Sequence, residues 1–250
     1  MSRPVRIAFA TNSDAGQYNI HLAAIHSLLE HHHADVESHL LAQAPGRKRC
    51  PMDVEFHEMP GMSNVAAINA ISPLQETEET CGQATASQPP GFFGALKVIP
   101  LIPAIISPWQ PSEYISITHA IEDVLIKIKP DLVVIDDVLF QAADAADKLE
   151  VPYIILSPSA WKDMASHEQG LKTFMLPLMG SGWTYPLPVH IIPFNFILVL
   201  YFIYNISTNP QLKAVFAAQG SRVHPVILPH TRHTPPLHGS PPPRVPHISA

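Results

Sequence analysis

The stretch KPDLVVIDDVLFQAADAADKLEVPYIILSPS, residues 129–159, decides the fold. Its first part, DLVVID at 131–136, follows Lys129-Pro130. It is a continuous apolar run bounded by polar residues, the pattern of a strand buried on both faces. A helix is expected over 139–150 and a second strand over 152–157. Strand, helix and strand at this spacing imply parallel pairing through a right-handed crossover. Upstream the pattern repeats. VRIAFAT at 5–11 reads as a strand, and Leu22, Ile25, Leu28 and Leu29 recur at helical spacing over 19–30. Strands follow over 35–42 and 53–59, and Pro60-Gly61 breaks the chain. Residues 62–90 read as a short helix and a polar loop. Helices are expected over 92–106 and 113–128. The expected class is α/β, a doubly wound parallel sheet.

At 250 residues the chain is long enough for one large domain or two small ones, each with a buried core. A net charge of -6 argues against nucleic acid as a partner, because little is present to neutralise a phosphate backbone. Two cysteines, Cys50 and Cys81, make neither a disulfide framework nor a metal cage, and the plain reading is a reduced, cytoplasmic setting. The opening MSRPVRIAFAT carries an arginine inside a short apolar run and reads as the first strand rather than a signal-peptide core. His31, His32 and His33 close the first helix, where positive charge is favourable. Adjacent residues do not share a helix face, so they form a poor metal cage. His224, His230, His233 and His238 are loosely spaced and suit only weak, adventitious binding of transition metals. No metal ligand is expected.

The sheet itself predicts a site. Open parallel sheets bind ligands outside the carboxyl ends of their strands. The first strand ends at Asn12 to Gln17, and DLVVID ends at Asp136-Asp137, so both polar clusters are expected on one rim. A carboxylate there either orients a neighbouring donor or caps the next helix, and the two roles are compatible.

Three segments carry a resemblance: AGQYNIHLAAIHSLLE at 15–30, residues 129–159, and SGWTYPLPVHIIPFN at 181–195. Together they resemble the N-terminal half of family 1 UDP-dependent glycosyltransferases of the GT-B type, particularly fungal members, from about residue 6 to about 215. The resemblance implies two Rossmann-like domains, the N-terminal one holding the acceptor and the C-terminal one the UDP-sugar. It implies no cofactor, with UDP-sugar as co-substrate. In the family pattern Gly-His-x-x-Pro follows the first strand, and the histidine takes the proton of the acceptor hydroxyl. An aspartate at a later strand end steadies the imidazolium, as in a serine-protease triad. Residue by residue, Gly16 matches the glycine, Gln17 the histidine, Ile20 the proline and Asp136 the aspartate.

The departure at Gln17 matters, because a carboxamide does not accept a proton near neutral pH. Gln17 is read as an acceptor-binding amide. Three accounts of the chemistry stay open: Asp136 is itself the base, His21 reaches the site through a water, or the site does not do this chemistry. Asn12, Gly16 and Asp137 are the expected acceptor-binding residues.

No His-Cys-Gly motif of the kind that grips the diphosphate occurs, and there is no Gly-x-Gly-x-x-Gly or P-loop. From Gly220 the chain turns rich in proline and histidine, with little apolar periodicity. That change is read as a truncated product or a shifted reading frame past about Gln219. The expected division is an acceptor domain over 1–212 and a disordered tail over 213–250. The run IIPFNFILVLYFIYNI, Ile191 to Ile206, has two readings: a hydrophobic helix docked on the domain, or a membrane-associated segment. The expected partners are a small lipophilic acceptor, a separate donor domain, and a membrane at that run. The functional alternatives are an acceptor half inactive alone, a membrane-associated half-enzyme needing a donor subunit, and a non-catalytic apolar-ligand binder.

Overall fold

The computed structural model describes residues 3–71, 87–158 and 166–219. Five strands form one sheet: β1 (Val5–Ala10), β2 (Val36–Gln43), β3 (Glu55–Met59), β4 (Leu132–Asp136) and β5 (Tyr153–Leu156). Their order is β3-β2-β1-β4-β5, and every neighbouring pair is parallel. The expected doubly wound parallel sheet is therefore present.

Alternation along the strands explains the two layers. Ala8, Ala10, Leu41, Val133 and Ile135 pack into one cluster, while Phe9, Leu40, Ala42 and Val134 pack into the other. A strand's side chains alternate between faces, so a sheet covered on both sides needs apolar residues in unbroken runs. Helix α1 (Ala15–His32) covers the second face through Tyr18 and Ile25. The first face is covered by α2 (Asn64–Ile71), α5 (Pro111–Ile128) and α6 (Phe140–Lys148).

Helix boundaries follow local chemistry. Helix α1 starts at Ala15 rather than after Gln17, so Gly16 and Gln17 lie in its first turn rather than in the preceding loop. Helix α5 starts at Pro111, earlier than periodicity suggests, because Gln110 and Glu113 form a capping box around it. It ends where Lys129 turns left-handed (φ 50°) ahead of Pro130. The helical path expected over 92–106 is two helices, α3 (Phe92–Val98) and α4 (Ile102–Ile106), joined by a 3-10 turn.

The apolar run becomes helix α7 (Ile192–Thr208). With α3, α4 and α8 (Pro210–Gln219) it builds a third cluster around Val98, Ile102, Leu198, Ile206 and Leu212. Asn195, fully buried in α7, bonds the carbonyls of Phe174 (2.8 Å) and Leu176 (2.7 Å) and the amide of Leu178 (3.0 Å). One face of α7 thus belongs to the domain. The other exposes Phe194, Phe196, Ile197, Leu200 and Tyr204.

Helix α8 runs across the boundary expected at residue 212. Leu212 and Val215 are buried, and Gln211 Nε2 donates to the carbonyls of Ser107 (3.0 Å) and Trp109 (2.9 Å). Leu212 and Val215 of α8 thus belong to the packed unit. Cys81, most of the polar loop expected before residue 90 and the proline- and histidine-rich tail lie outside the described residues.

Candidate functional site

The chain builds β1, β2 and β3 to one side of the sheet, then returns to place β4 and β5 on the other. Strand order therefore reverses between β1 and β4, and the crevice at their carboxyl ends is where such sheets hold ligands. Asp136, the last residue of β4, is 1% exposed. Its Oδ2 accepts hydrogen bonds from the Asn12 backbone N–H (3.1 Å), Asn12 Nδ2 (3.2 Å) and the Thr11 hydroxyl (3.3 Å). Its Oδ1 accepts from the Val138 amide at 3.1 Å. Next to it Asp137 Oδ2 accepts from the Ser157 hydroxyl at 2.5 Å. The N-cap position of α6 is Leu139, whose side chain makes no capping bond.

Burial pushes the Asp136 carboxyl up to about 7. The Val138 and Asn12 amides pull it down, and the hydrogen-bonded Asp137 carboxyl pushes it further up. The result is a carboxyl that exchanges a proton near neutral pH, the range in which a general base works best.

The loop after β1 is held from several directions. The Ser13 amide donates to Gln43 Oε1 at 2.8 Å. Arg49 donates to the Ser13 carbonyl (2.8 Å) and to Asn19 Oδ1 (3.0 Å), and lies 4.3 Å above the Tyr18 ring. Asp14, at the N-cap of α1, makes no capping bond there; its carboxylate accepts from the Val65 amide at 3.0 Å. Gln17 is half-buried, and among the described residues its side-chain amide has no hydrogen bond. A Cβ added at Gly16 meets nothing within 4 Å, so the glycine leaves open space beside this turn.

His21 is fully buried one turn later, edge-on to Phe9. Its Nδ1 lies 3.0 Å from the Gln17 carbonyl, a contact that places the proton on Nδ1. Nε2 then carries the lone pair, and it has no protein partner. Burial lowers the imidazole below its ordinary 6.5, against the raising effects of the Gln17 carbonyl and Asp137.

The structure thus bonds Asn12 directly to Asp136, sets Asp137 beside them, and keeps His21 within electrostatic reach of Asp137. Gln17 joins only through its carbonyl on His21, and Gly16 lies outermost. Sequence reasoning missed Thr11, Gln43 and Arg49. Among the described residues Asn12 Oδ1, Gln43 Nε2 and both amide atoms of Gln141, on α6, are buried without a partner, which is uncommon for folded chains. The strand-end rule, applied to β2, would have found Gln43. Arg49 has no such signal, because it meets Ser13 from 36 residues away.

No protein-family model matches the chain. A curated relative does: the glycosyltransferase sdnJ of the fungus Sordaria araneosa is 29% identical over 202 residues, 76% of this chain and 39% of that protein. The chain therefore spans about two-fifths of the length of the curated relative it matches. Solved glycosyltransferases align at lower identity. SnogD from Streptomyces nogalater is 11% identical over 89% of this chain and 43% of its own, with a TM-score of 0.43. A UGT transferase from Siraitia grosvenorii in complex with UDP is 15% identical over 81% of this chain and 38% of its own, with a TM-score of 0.42.

Proposed function

We propose that this chain, a relative of a fungal glycosyltransferase, supplies the acceptor-binding unit for transfer of a hexosyl group from a UDP-sugar to a small lipophilic hydroxyl compound. The observation that carries the reading is the Asp136 carboxyl: buried at the strand-order reversal, raised to about 7, and tied to Asn12 on the neighbouring strand end. In this reading the acceptor hydroxyl meets the Gln17 amide and Asp137, and the Asp136–Asp137 pair takes up its proton. Asp137, 7% exposed, is the more accessible member. Gln17 orients and does not ionise. His21 is a positioning residue, fixing the Gln17 turn through its carbonyl. No cofactor takes part, and UDP-sugar is held by a donor-binding unit that the 250 residues do not supply. The place of action is the cytoplasm.

The test is UDP release with a panel of phenols and sterols, measured for this chain joined to the donor-binding half of its fungal relative. Activity that Asp136→Asn removes supports the reading. Activity that survives Asp136→Asn unchanged overturns the role of the pair.

A second contact is favoured by α7. Its exposed row of Phe194, Ile197, Leu200 and Tyr204 suits a membrane surface. The helical run Val189–Thr208 is long and apolar enough to cross a membrane, but Asn195 binds its other face to the domain. The helix lies on the bilayer in this reading rather than through it. Co-sedimentation with phospholipid vesicles, lost in Ile197→Lys/Leu200→Lys, is the expected result; equal sedimentation of the variant removes the contact.

A further inference from the structure

We propose that His39, Glu55 and His57 form a binding site for a divalent transition-metal ion of the zinc type, at the β2–β3 edge and away from the carboxyl rim. The three residues come together through strand pairing. His39 sits in the middle of β2 with Glu55 as its register partner on β3, and His57 follows two residues later on the same face as Glu55. His39 and His57 are buried, while Glu55 stands at the surface.

The ligand atoms converge. His39 Nδ1 lies 3.2 Å from His57 Nε2 and 3.4 Å from Glu55 Oε2, and His57 Nε2 lies 3.7 Å from Glu55 Oε1. Ligand bonds of about 2.0–2.1 Å in a tetrahedron put neighbouring ligand atoms about 3.3 Å apart. The two nitrogens and the Glu55 carboxylate already stand close to that spacing, so an ion fits between them with small side-chain adjustment.

The surrounding groups favour an ion. Glu37 Oε1 lies 3.3 Å from His39 Nε2. That approach lacks hydrogen-bond geometry and acts as a nearby negative charge; with the His39 proton on Nε2, the Nδ1 lone pair is left for the ion beside His57 and Glu55. A carboxylate behind a ligating imidazole is the usual outer support of a metal site. Access comes from a cavity of about 270 Å³, whose lining includes His33, Glu37, Ser38, His39, Asp53 and Glu55. It leaves a fourth position for water, as zinc sites with three protein ligands do. Two imidazoles and one carboxylate suit zinc, cobalt or nickel better than magnesium or calcium. The nearest cation, Lys127 Nζ at 3.9 Å from Glu55 Oε1, is exposed and free to swing away. A bound ion pins the edge strand β3 to β2, where backbone pairing is available on one side only.

The experiment is calorimetric titration of the 250-residue chain with Zn²⁺, paired with the visible spectrum of the Co²⁺ form. The expected result is one stoichiometric site with tetrahedral Co²⁺ absorption and a raised Tm in the presence of Zn²⁺. Glu55→Gln, at an exposed position that folding does not depend on, should weaken binding at least about tenfold. His57→Gln should abolish the Co²⁺ spectrum. Absence of a stoichiometric site overturns the proposal. So does binding that Glu55→Gln leaves undiminished, since the ion then sits on other histidines such as His31 to His33. If His57→Gln fails to fold, the Glu55→Gln result alone decides.

Discussion

Two buried polar clusters share one sheet and differ in what organises them. At the carboxyl rim the Asp136 carboxyl gathers the end of β1, its oxygens accepting from Thr11, Asn12 and Val138. At the β2–β3 edge two imidazoles and a carboxylate face one another, and their nitrogen and oxygen atoms converge. The first arrangement engages both oxygens of its central carboxyl within the protein and is poised to exchange a proton. The second is where the proposed ion would sit. The same strand register can therefore build a proton site at one place and a metal site at another, depending on whether donors or acceptors point inward.

The largest expected effect tests whether the rim is a half-site. The 250-residue polypeptide by itself should release no UDP from UDP-glucose with any phenol or sterol. Holding donor and acceptor together supplies roughly 7–11 kcal/mol of barrier reduction. A general base contributes typically about 10²–10⁴-fold. Gln17→His should therefore leave the isolated polypeptide inactive, and protein-dependent UDP release by either form would show that the rim handles the donor as well.

Next in size is the structural weight of the two clusters. Asp136→Leu strands the amides of Asn12 and Val138 in a buried site and should cost about 3–5 kcal/mol in urea unfolding. In metal-free buffer Glu55→Gln, at an exposed side chain, should change stability by less than about 0.5 kcal/mol. Equal costs would erase the contrast between a network closed within the protein and one completed by an ion.

A smaller effect separates the clusters by pH. The folded-state Asp136 carboxyl titrates at about 7, above its ordinary 3.8, so between those values the folded chain binds more protons than the unfolded one. Stability from this group is full below about pH 4 and is lost as pH rises towards 7. The lowered His21 works in the opposite direction below its ordinary 6.5. The difference between wild type and Asp136→Asn isolates the carboxyl: the wild-type advantage should shrink from pH 5 to pH 8. An advantage that stays flat over that range would mean that Asp136 is ionised throughout.

The smallest effect concerns the wall of the rim. Tyr18 donates its hydroxyl to the Gly46 carbonyl at 2.7 Å, and a Cβ at Gly46 would come within 2.8 Å of its ring. Tyr18→Phe should cost about 1 kcal/mol in the same unfolding measurement. No change would show that the contact between α1 and the turn after β2 does not hold the rim in place.

The fold was legible because its central strands are unambiguous. DLVVID is apolar on both faces, and the helices around it carry clear periodicity. The start of α1 was misplaced because Gly16-Gln17 looks like loop chemistry, whereas tertiary contacts around Asp14 and Ser13 allow the helix to begin at Ala15. Asn12 and Asp136 could be paired from strand ends alone. The burial of His21 could not, since a histidine on a helix gives no sign of which face it takes. Nor could the histidine pair of β2 and β3: His39 and His57 are 18 residues apart, and only the strand register brings them to 3.2 Å. The HHH run drew attention by composition, but adjacency on a helix separates side chains that pairing across strands brings together.

The central claim is that the carboxyl rim receives a lipophilic hydroxyl compound, and equilibrium binding tests it most directly. Titration of the purified 250-residue chain with a phenol and a sterol, followed by amide chemical shifts, should show saturable binding of at least one of them. The shifts should centre on Asn12, Gln17 and Val138, and Gln17→Ala should weaken the binding. Absence of saturable binding by either compound, or shifts confined to the exposed face of α7, would contradict the account.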